Sequence, residues 1–372
     1  MSIYKQRINA VQEYIKQTSA DGFFITNSFN IFYLTGFQGL SPEERESTLF
    51  ITSADATLFL PRMYQEQGKM LQSVREKQVI CVVDHERDGL LTKWIKAQEK
   101  GQNILIEEGD LTIEEYDYLK KVSGFSFHTS GGYLEGLRIR KDSVELGQIR
   151  TVVARTDQVF NDLISALKKN GYTTYTELDI ADTLRTLGRK YDLNSFSFDP
   201  IVACGPGSSE PHYVTSNKKL KKGEVLLMDF GFTLNGYHSD LTRTIFLGKA
   251  PEKVKDMYDI VLACNEYALQ LTRPGIDAGL LHQKSVEFFA KQKLDTYFIH
   301  GLGHGVGLEV HEEPFFRINR KTILQPGMTV TIEPGLYFPN EYGIRIEDYV
   351  VVTERGVEVL SNKSPKKLIE LL

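Results

Sequence analysis

Leu226-Leu227-Met228-Asp229-Phe230-Gly231-Phe232-Thr233-Leu234-Asn235-Gly236-Tyr237-His238-Ser239-Asp240-Leu241-Thr242-Arg243-Thr244 sets two carboxylates among aliphatic, aromatic and β-branched residues. The segments 224–233 and 239–247 around them have the composition of strands. An unpaired carboxylate within so apolar a strand as 226–230 is costly to bury, so Asp229 requires a partner.

Two further carboxylates have the same setting. Glu333 lies in Val330-Thr331-Ile332-Glu333-Pro334-Gly335, and Glu347 in Gly343-Ile344-Arg345-Ile346-Glu347-Asp348. Asp240 taken alone reads as an ordinary turn or cap residue; the set makes the case. Like charges gathered in one interior repel and resist ionising. Hard divalent cations remove that obstacle. Four carboxylates and one neutral imidazole around two divalent ions balance to about zero charge. The nitrogen is available in His300-Gly301-Leu302-Gly303-His304-Gly305-Val306-Gly307-Leu308-Glu309-Val310-His311-Glu312, which holds three of the eight histidines of the chain. His212 follows a turn-like loop, Cys204-Gly205-Pro206-Gly207-Ser208-Ser209-Glu210-Pro211. Oxygen ligands with a single nitrogen favour manganese, iron, cobalt or zinc over magnesium alone. Two ions about 3.5 Å apart could share a hydroxide nucleophile.

Outward from these motifs, 372 residues are long for one core, so two domains are expected. The first third alternates helical and strand patterns, with a helix at 3–16, strands at 22–26, 47–52, 56–60, 79–83 and 103–106, and a helix at 90–98. The glycine-containing stretch Ser130-Gly131-Gly132-Tyr133-Leu134-Glu135-Gly136 is the candidate boundary. A long helix is expected over 143–169, with Ser143 as N-cap and Gly171 beyond its end. A second helix starts near Thr176, a strand covers 196–203, helices cover 253–271 and 278–291, and a β-rich region runs from His304 onward.

Composition excludes several classes. A net charge of -5 argues against nucleic acid or an anionic membrane as main partner, since both reward a basic surface. No apolar run is long enough to span a bilayer, and the polar start lacks a secretory signal. Three scattered cysteines, Cys81, Cys204 and Cys264, suit a reducing cytosol and read as small core residues.

The strings MDFGFTLNGYHSDLTRT, HGLGHGVGLEVHE, TIEPG and GIRIED, in this order, resemble the metallopeptidase family of pita-bread fold, and within it the Xaa-Pro branch, aminopeptidase P and prolidase. The upstream GSSEPHYVTSNKKLKKGEVLLMDFG and the motif Asn30-Ile31-Phe32-Tyr33-Leu34-Thr35-Gly36-Phe37 are similar as well, so the likeness covers nearly the whole chain. It implies an α/β (α+β) protein: a creatinase-like amino-terminal α/β domain at 1–133, then a pita-bread catalytic domain at 134–372 with a curved, mostly antiparallel sheet covered by helices. It implies two divalent ions per subunit, manganese first and cobalt, zinc or iron as alternatives. Asp229 would bind one ion and His304 with Glu333 the other, while Asp240 and Glu347 bridge both. Glu333 would also take a proton from the attacking water. His212 would hydrogen-bond the scissile carbonyl or its oxyanion, His311 would contact the substrate near the leaving proline, His300 would line that pocket, and Arg345 would orient Glu347 and its neighbours within the substrate site.

The substrate so implied is a peptide with proline in second position, and the protein is expected to be a cytoplasmic homodimer without nucleic-acid or membrane partners. Three other readings share the fold: a methionine aminopeptidase, a metal-free creatinase-type hydrolase, and an inactive scaffold. The spacing around His212 and the creatinase-like first domain oppose the first, and five intact ligand positions oppose the other two. His238 is expected on the opposite face from Asp240. Asp348 and Glu312 read as solvated or hydrogen-bonding neighbours. His85, His128 and His282 read as surface or packing residues.

Overall fold

The computed structural model describes residues 2–39, 41, 44–84, 89–318 and 321–372. The chain forms two compact units, Met1–Arg138 and Ile139–Leu372. His85 lies outside the described residues.

The first unit is a mixed six-stranded sheet between helices. Gly22–Ile25 sits inside it, antiparallel to Thr48–Thr52 and parallel to Asn103–Ile106. All four of its residues are buried, as a strand covered on both faces requires. Phe24, Phe50, Phe59 and Ile104 pack against Ile95 of the helix Gly89–Ala97 and Leu119 of the helix Ile113–Ser123. Asn30, fully buried on the helix Ser28–Thr35, donates to Glu107 and accepts from Arg138, so a polar knot ties this motif to its own sheet.

The second unit opens on the helix Ser143–Asn170. Its N-cap is Asp142, one residue before the expected Ser143. The Asp142 carboxylate accepts from the N–H groups of Val144 and Glu145, and Glu145 accepts in turn from the Asp142 N–H, a reciprocal arrangement a serine one residue later cannot make. Thr176 caps Glu177–Lys190 in the same manner through Asp179. The strand expected over 196–203 is broken into Ser195–Phe196 and Ile201–Cys204, with Pro200 unable to donate to a ladder between them.

Val225–Phe230 pairs antiparallel with both Ile201–Cys204 and Leu241–Leu247. Thr329–Ile332 pairs antiparallel with Asp348–Val352, and Gly335–Phe338 with Tyr342–Arg345. The helices Glu252–Leu271 and Ala278–Ala290 cover these strands, setting Val254, Val261, Cys264, Leu281 and Phe289 against Phe246, Val330, Ile332, Ile344 and Val350. The expected β-rich region from His304 onward begins only at Thr329; from His304 to there the described residues hold no strand and are stitched by isolated bridges such as Gly305 with Glu312 and with Val330. His128 is exposed and His282 packs its ring 5.5 Å from that of Phe298. No helix among the described residues is long and apolar enough to cross a membrane.

The capping box on the long helix is testable. Asp142→Ala should lower unfolding free energy by about 1 kcal/mol, whereas Ser143→Ala should change it by no more than a few tenths. Urea titrations of both variants decide it; equal midpoints for the two would contradict the assignment of Asp142 as the cap.

Candidate metal centre

The carboxylates arrive at strand ends. Asp229 lies opposite Thr242 in the pair formed by Val225–Phe230 and Leu241–Leu247, and Asp240 immediately precedes the second of these strands. Ile332 lies opposite Asp348, so one further step along that antiparallel pair brings Glu333 to face Glu347. The Glu347 N–H donates to the Thr242 carbonyl at 3.2 Å and joins the two pairs.

His304 comes from a loop laid along Thr329–Ile332. Thr331 N–H donates to the His304 carbonyl and Glu333 N–H to the Leu302 carbonyl, each at 2.8 Å. So close an approach depends on glycine: a Cβ on Gly303 would stand 2.0 Å from the Thr331 oxygen, and one on Gly305 2.2 Å from the Glu313 oxygen. His304 Nδ1 lies 3.0 Å from the Gly305 carbonyl; as a donor there it leaves Nε2 facing the carboxylates. That Nε2 is 3.3 Å from Glu333 Oε1 and 3.7 Å from Asp240 Oδ2. Ligand atoms of Asp240, His304 and Glu347 all lie within 4.8 Å of one another.

Arg345, 3% exposed, stands behind the carboxylates. Its Nη2 donates to Asp229 Oδ2 at 2.5 Å, its Nε to Thr242 Oγ1 at 3.0 Å and its Nη1 to the Tyr337 hydroxyl at 2.7 Å. It reaches Glu347 through Thr242, whose hydroxyl donates to Glu347 Oε2 at 2.8 Å. Thr331 likewise donates to Glu333 Oε1, at 3.2 Å. Neither threonine nor Tyr337 is marked in the sequence; the one trace is that Thr242 stands two residues from Asp240, on the same strand face.

The electrostatics follow from crowding. Burial, then the charges of Glu347, Asp229 and Glu333, push Asp240 well above the usual carboxylate range. Burial and the charges of Glu333 and Asp229 push Glu347 up to about 8. Asp229 is raised by burial against the pull of Arg345. Glu333 goes the other way: burial raises it, but the hydrogen bond and charge of His304, with His300 and Arg345, outweigh that and hold it at about 2. His304 is disfavoured as a cation by burial and yet raised by Glu333 and Glu347. Among the described residues Asp229 Oδ1 is buried without a hydrogen-bond partner. An orphaned oxygen, two carboxyls that resist ionising and one oriented imidazole fit a site for divalent cations.

The remaining histidines stand around this set. His300 Nδ1 is 2.8 Å from the Gly301 carbonyl and Nε2 is 2.9 Å from the Tyr337 hydroxyl, so both ring nitrogens are engaged within the protein. The His311 ring meets that of His304 edge-on at 4.3 Å. Burial first, and neighbouring positive charge, hold both His300 and His311 down at about 4. His212 is exposed. His238 turns away from the carboxylates, its Nδ1 3.0 Å from Thr233 Oγ1. Of the two alternatives for Glu312 and Asp348, the hydrogen-bonding one holds: Glu312 pairs with Lys141, and Asp348 with Arg243 and Lys366.

A chain that folds an α/β unit ahead of strands converging on buried carboxylates and a histidine has the architecture of a two-domain metallohydrolase. The description "Metallopeptidase family M24" matches residues 147–354, and "Creatinase/Prolidase N-terminal domain" matches residues 7–140; the chain belongs to this metallopeptidase family. It is 31% identical over 366 residues to a Xaa-Pro dipeptidase of Pyrococcus furiosus, covering 98% of this chain and 100% of that one. Its fold is similar to that of a Xaa-Pro dipeptidase from Bacillus anthracis, with a TM-score of 0.89, 30% identity and 99% of each chain covered. It is also similar to an X-Pro aminopeptidase from Thermotoga maritima, with a TM-score of 0.84, 28% identity, and 96% and 99% of the two chains covered.

Cation binding should therefore release protons. Because Asp240 and Glu347 are raised, cations must displace protons from them at neutral pH, and affinity should climb as pH rises to about 8. Titrating chelator-treated protein with manganese at pH 6.5 in buffers of different ionisation enthalpy should reveal release of about one proton or more per chain. Binding heats that do not depend on the buffer would count against raised carboxyls.

Proposed function

We propose that the protein hydrolyses the peptide bond preceding proline, with Xaa-Pro dipeptides as the leading substrates, at a two-ion centre held by Asp229, Asp240, His304, Glu333 and Glu347. The observation that carries this reading is the convergence of four carboxylates and His304 Nε2, with Asp229 Oδ1 unpartnered, in a chain alike along its length to Xaa-Pro dipeptidases. Asp229 would hold one ion, His304 and Glu333 the other, and Asp240 with Glu347 both, manganese first among the candidates. When bound, the ions supply an acidified water as nucleophile and a Lewis acid for the scissile carbonyl.

The chain's own groups do the rest. Glu333 Oε1, ionised across the neutral range, accepts the proton of the attacking water. His212 donates to the developing oxyanion, commonly among the largest contributions in acyl transfer. Proline makes the scissile bond a tertiary amide, so its ring nitrogen must gain a proton to leave. His311, neutral at working pH, stands beside His304 to face that end of the substrate. His300 forms a wall, its nitrogens held by Gly301 and Tyr337. Arg345 fixes the direction of the Asp229 carboxylate. The family resemblance supports the further expectations of a homodimer and a cytoplasmic location.

Purified protein given manganese or cobalt should cleave a Xaa-Pro dipeptide faster than a Xaa-Pro tripeptide and fall silent with a chelator. Activity that survives thorough chelation would favour the creatinase-type reading, and silence with every divalent ion would favour a scaffold. Asp240→Ala and Glu347→Ala should each cut turnover by more than about 100-fold and lower bound metal, exceeding what loss of a supporting hydrogen bond does. Either variant at full turnover would end the bridging assignment.

A further inference from the structure

Glu177 is the one carboxylate of the helix Glu177–Lys190 that is wholly buried, and no step proposed above uses it. Its Oε1 accepts the Cys204 N–H at 2.9 Å. Its Oε2 accepts three donors: the Tyr213 hydroxyl at 3.0 Å, the Ser216 N–H at 3.2 Å and the Ser216 hydroxyl at 2.8 Å. These four donors come from the two ends of a single loop, 204–216, and that loop carries His212. The main chain reinforces the seam, since Glu177 N–H donates to the Lys218 carbonyl and Leu178 N–H to the Ser216 carbonyl.

The loop has other anchors. Thr215 Oγ1 donates to the Pro200 carbonyl at 2.7 Å and accepts the Val202 N–H at 2.9 Å. Ser208 Oγ donates to the Gly205 carbonyl and accepts the Gly343 N–H at 2.8 Å, tying its first half to the strand Tyr342–Arg345. Between these anchors the chain turns: Tyr213 N–H donates to the Glu210 carbonyl at 3.1 Å, which leaves Pro211 and His212 as the corner. His212 is exposed at that corner, and no hydrogen bond engages its ring among the described residues. An exposed side chain on a turn has no direction of its own; it inherits one from whatever clamps the turn. Here the clamp is a buried carboxylate with every oxygen satisfied, a network that rigidifies because an unpaired member would be costly.

We infer that Glu177 is a positioning residue, which sets the aim of His212 at the scissile carbonyl by drawing Cys204, Tyr213 and Ser216 onto one carboxylate. This rests on the reading of His212 as the oxyanion donor and adds to it the group that holds the donor in place. None of the proposed metal ligands is a hydrogen-bond partner of Glu177, so the clamp is expected to act on the loop and not on cation affinity. A misplacement of about 1 Å at a reacting group costs on the order of 100-fold in rate, which makes the clamp matter without its touching substrate.

A double-mutant cycle tests it. Glu177→Gln keeps the volume but turns an amide NH2 toward a donor; Tyr213→Phe leaves Glu177 in place and removes the donor next to His212. Each should lower kcat for a Xaa-Pro dipeptide by about tenfold or more, with KM changed less, manganese affinity by calorimetry within about twofold of the parent, and faster hydrogen exchange confined to 204–216. In a His212→Ala background both should cost less than about twofold, because the group they aim is gone. Equal losses in both backgrounds, or no loss in the parent, overturn the inference while leaving His212 its role. His212→Ala at full activity overturns the role of His212 and this inference with it. If Glu177→Gln does not fold, Tyr213→Phe alone completes the cycle and decides the matter.

Discussion

Four carboxylates share one buried site with a single fixed guanidinium, and the rest of the catalytic unit is arranged around that imbalance. Arg345 spends its three nitrogens on Asp229, Thr242 and Tyr337, so it pairs directly with one of the four carboxyls. The outcome is a wide spread of acidities: Glu333 near 2, Glu347 near 8, and Asp240 well above its ordinary range for the same reason as Glu347. A protein that needed only stability would have replaced such residues with apolar ones of similar volume, since buried charge is rarely a net gain. Keeping them makes sense where cations complete the site. The low value of Glu333 belongs to the hydrogen bond and charge of His304 beside it.

The scaffold divides its labour by rigidity. All four carboxylates sit on strands or at their ends, where neighbouring ladders fix the backbone. His212, His300, His304 and His311 sit on loops; main-chain hydrogen bonds lay the His304 loop along Thr329–Ile332, and buried polar groups fasten the segments that carry His212 and His311. Lys141 pairs with Glu312, next to His311, with side chains only 1% and 8% exposed. Arg243 donates to the Glu347 carbonyl and to Asp348, and also to the carbonyls of Ser361 and Ser364, holding the chain on either side of one ligand. Buried ion pairs are weak as stabilisers but costly to mispair, which suits them to fixing a loop in one conformation.

The candidate metal set is legible in the sequence because it breaks a local rule: carboxylates within apolar, strand-forming runs have no bland explanation, and four of them together have fewer still. His304 is legible for its glycine-rich company, although that same company makes it a loop residue and not part of the β-rich run expected from that point. What lies behind the site is hidden. Arg243 occupies the middle of Leu241–Leu247, yet its partners come from residues more than a hundred positions away. Glu177 looks like a helix-start acid favoured by the dipole, and nothing in its neighbourhood reveals that its acceptor capacity is spent on a loop nearly thirty residues downstream. Glu312 and Asp348 read as solvated or hydrogen-bonding, and what stays hidden is the choice between the two, which is made by cations from distant elements.

The engagement of His300 narrows how three histidines can share the work on a proline peptide. With Nδ1 as donor to Gly301, Nε2 must accept the Tyr337 proton, and the Tyr337 oxygen must in turn accept from Arg345. Every proton in that chain is committed, and protonating His300 would set two donors against each other. Its low affinity for a proton is therefore a matter of wiring as well as burial. A group so committed can shape a pocket but cannot hand a proton to a departing ring nitrogen. A proton for that nitrogen must then come from elsewhere than His300, whose place in the pocket is that of an immobile wall.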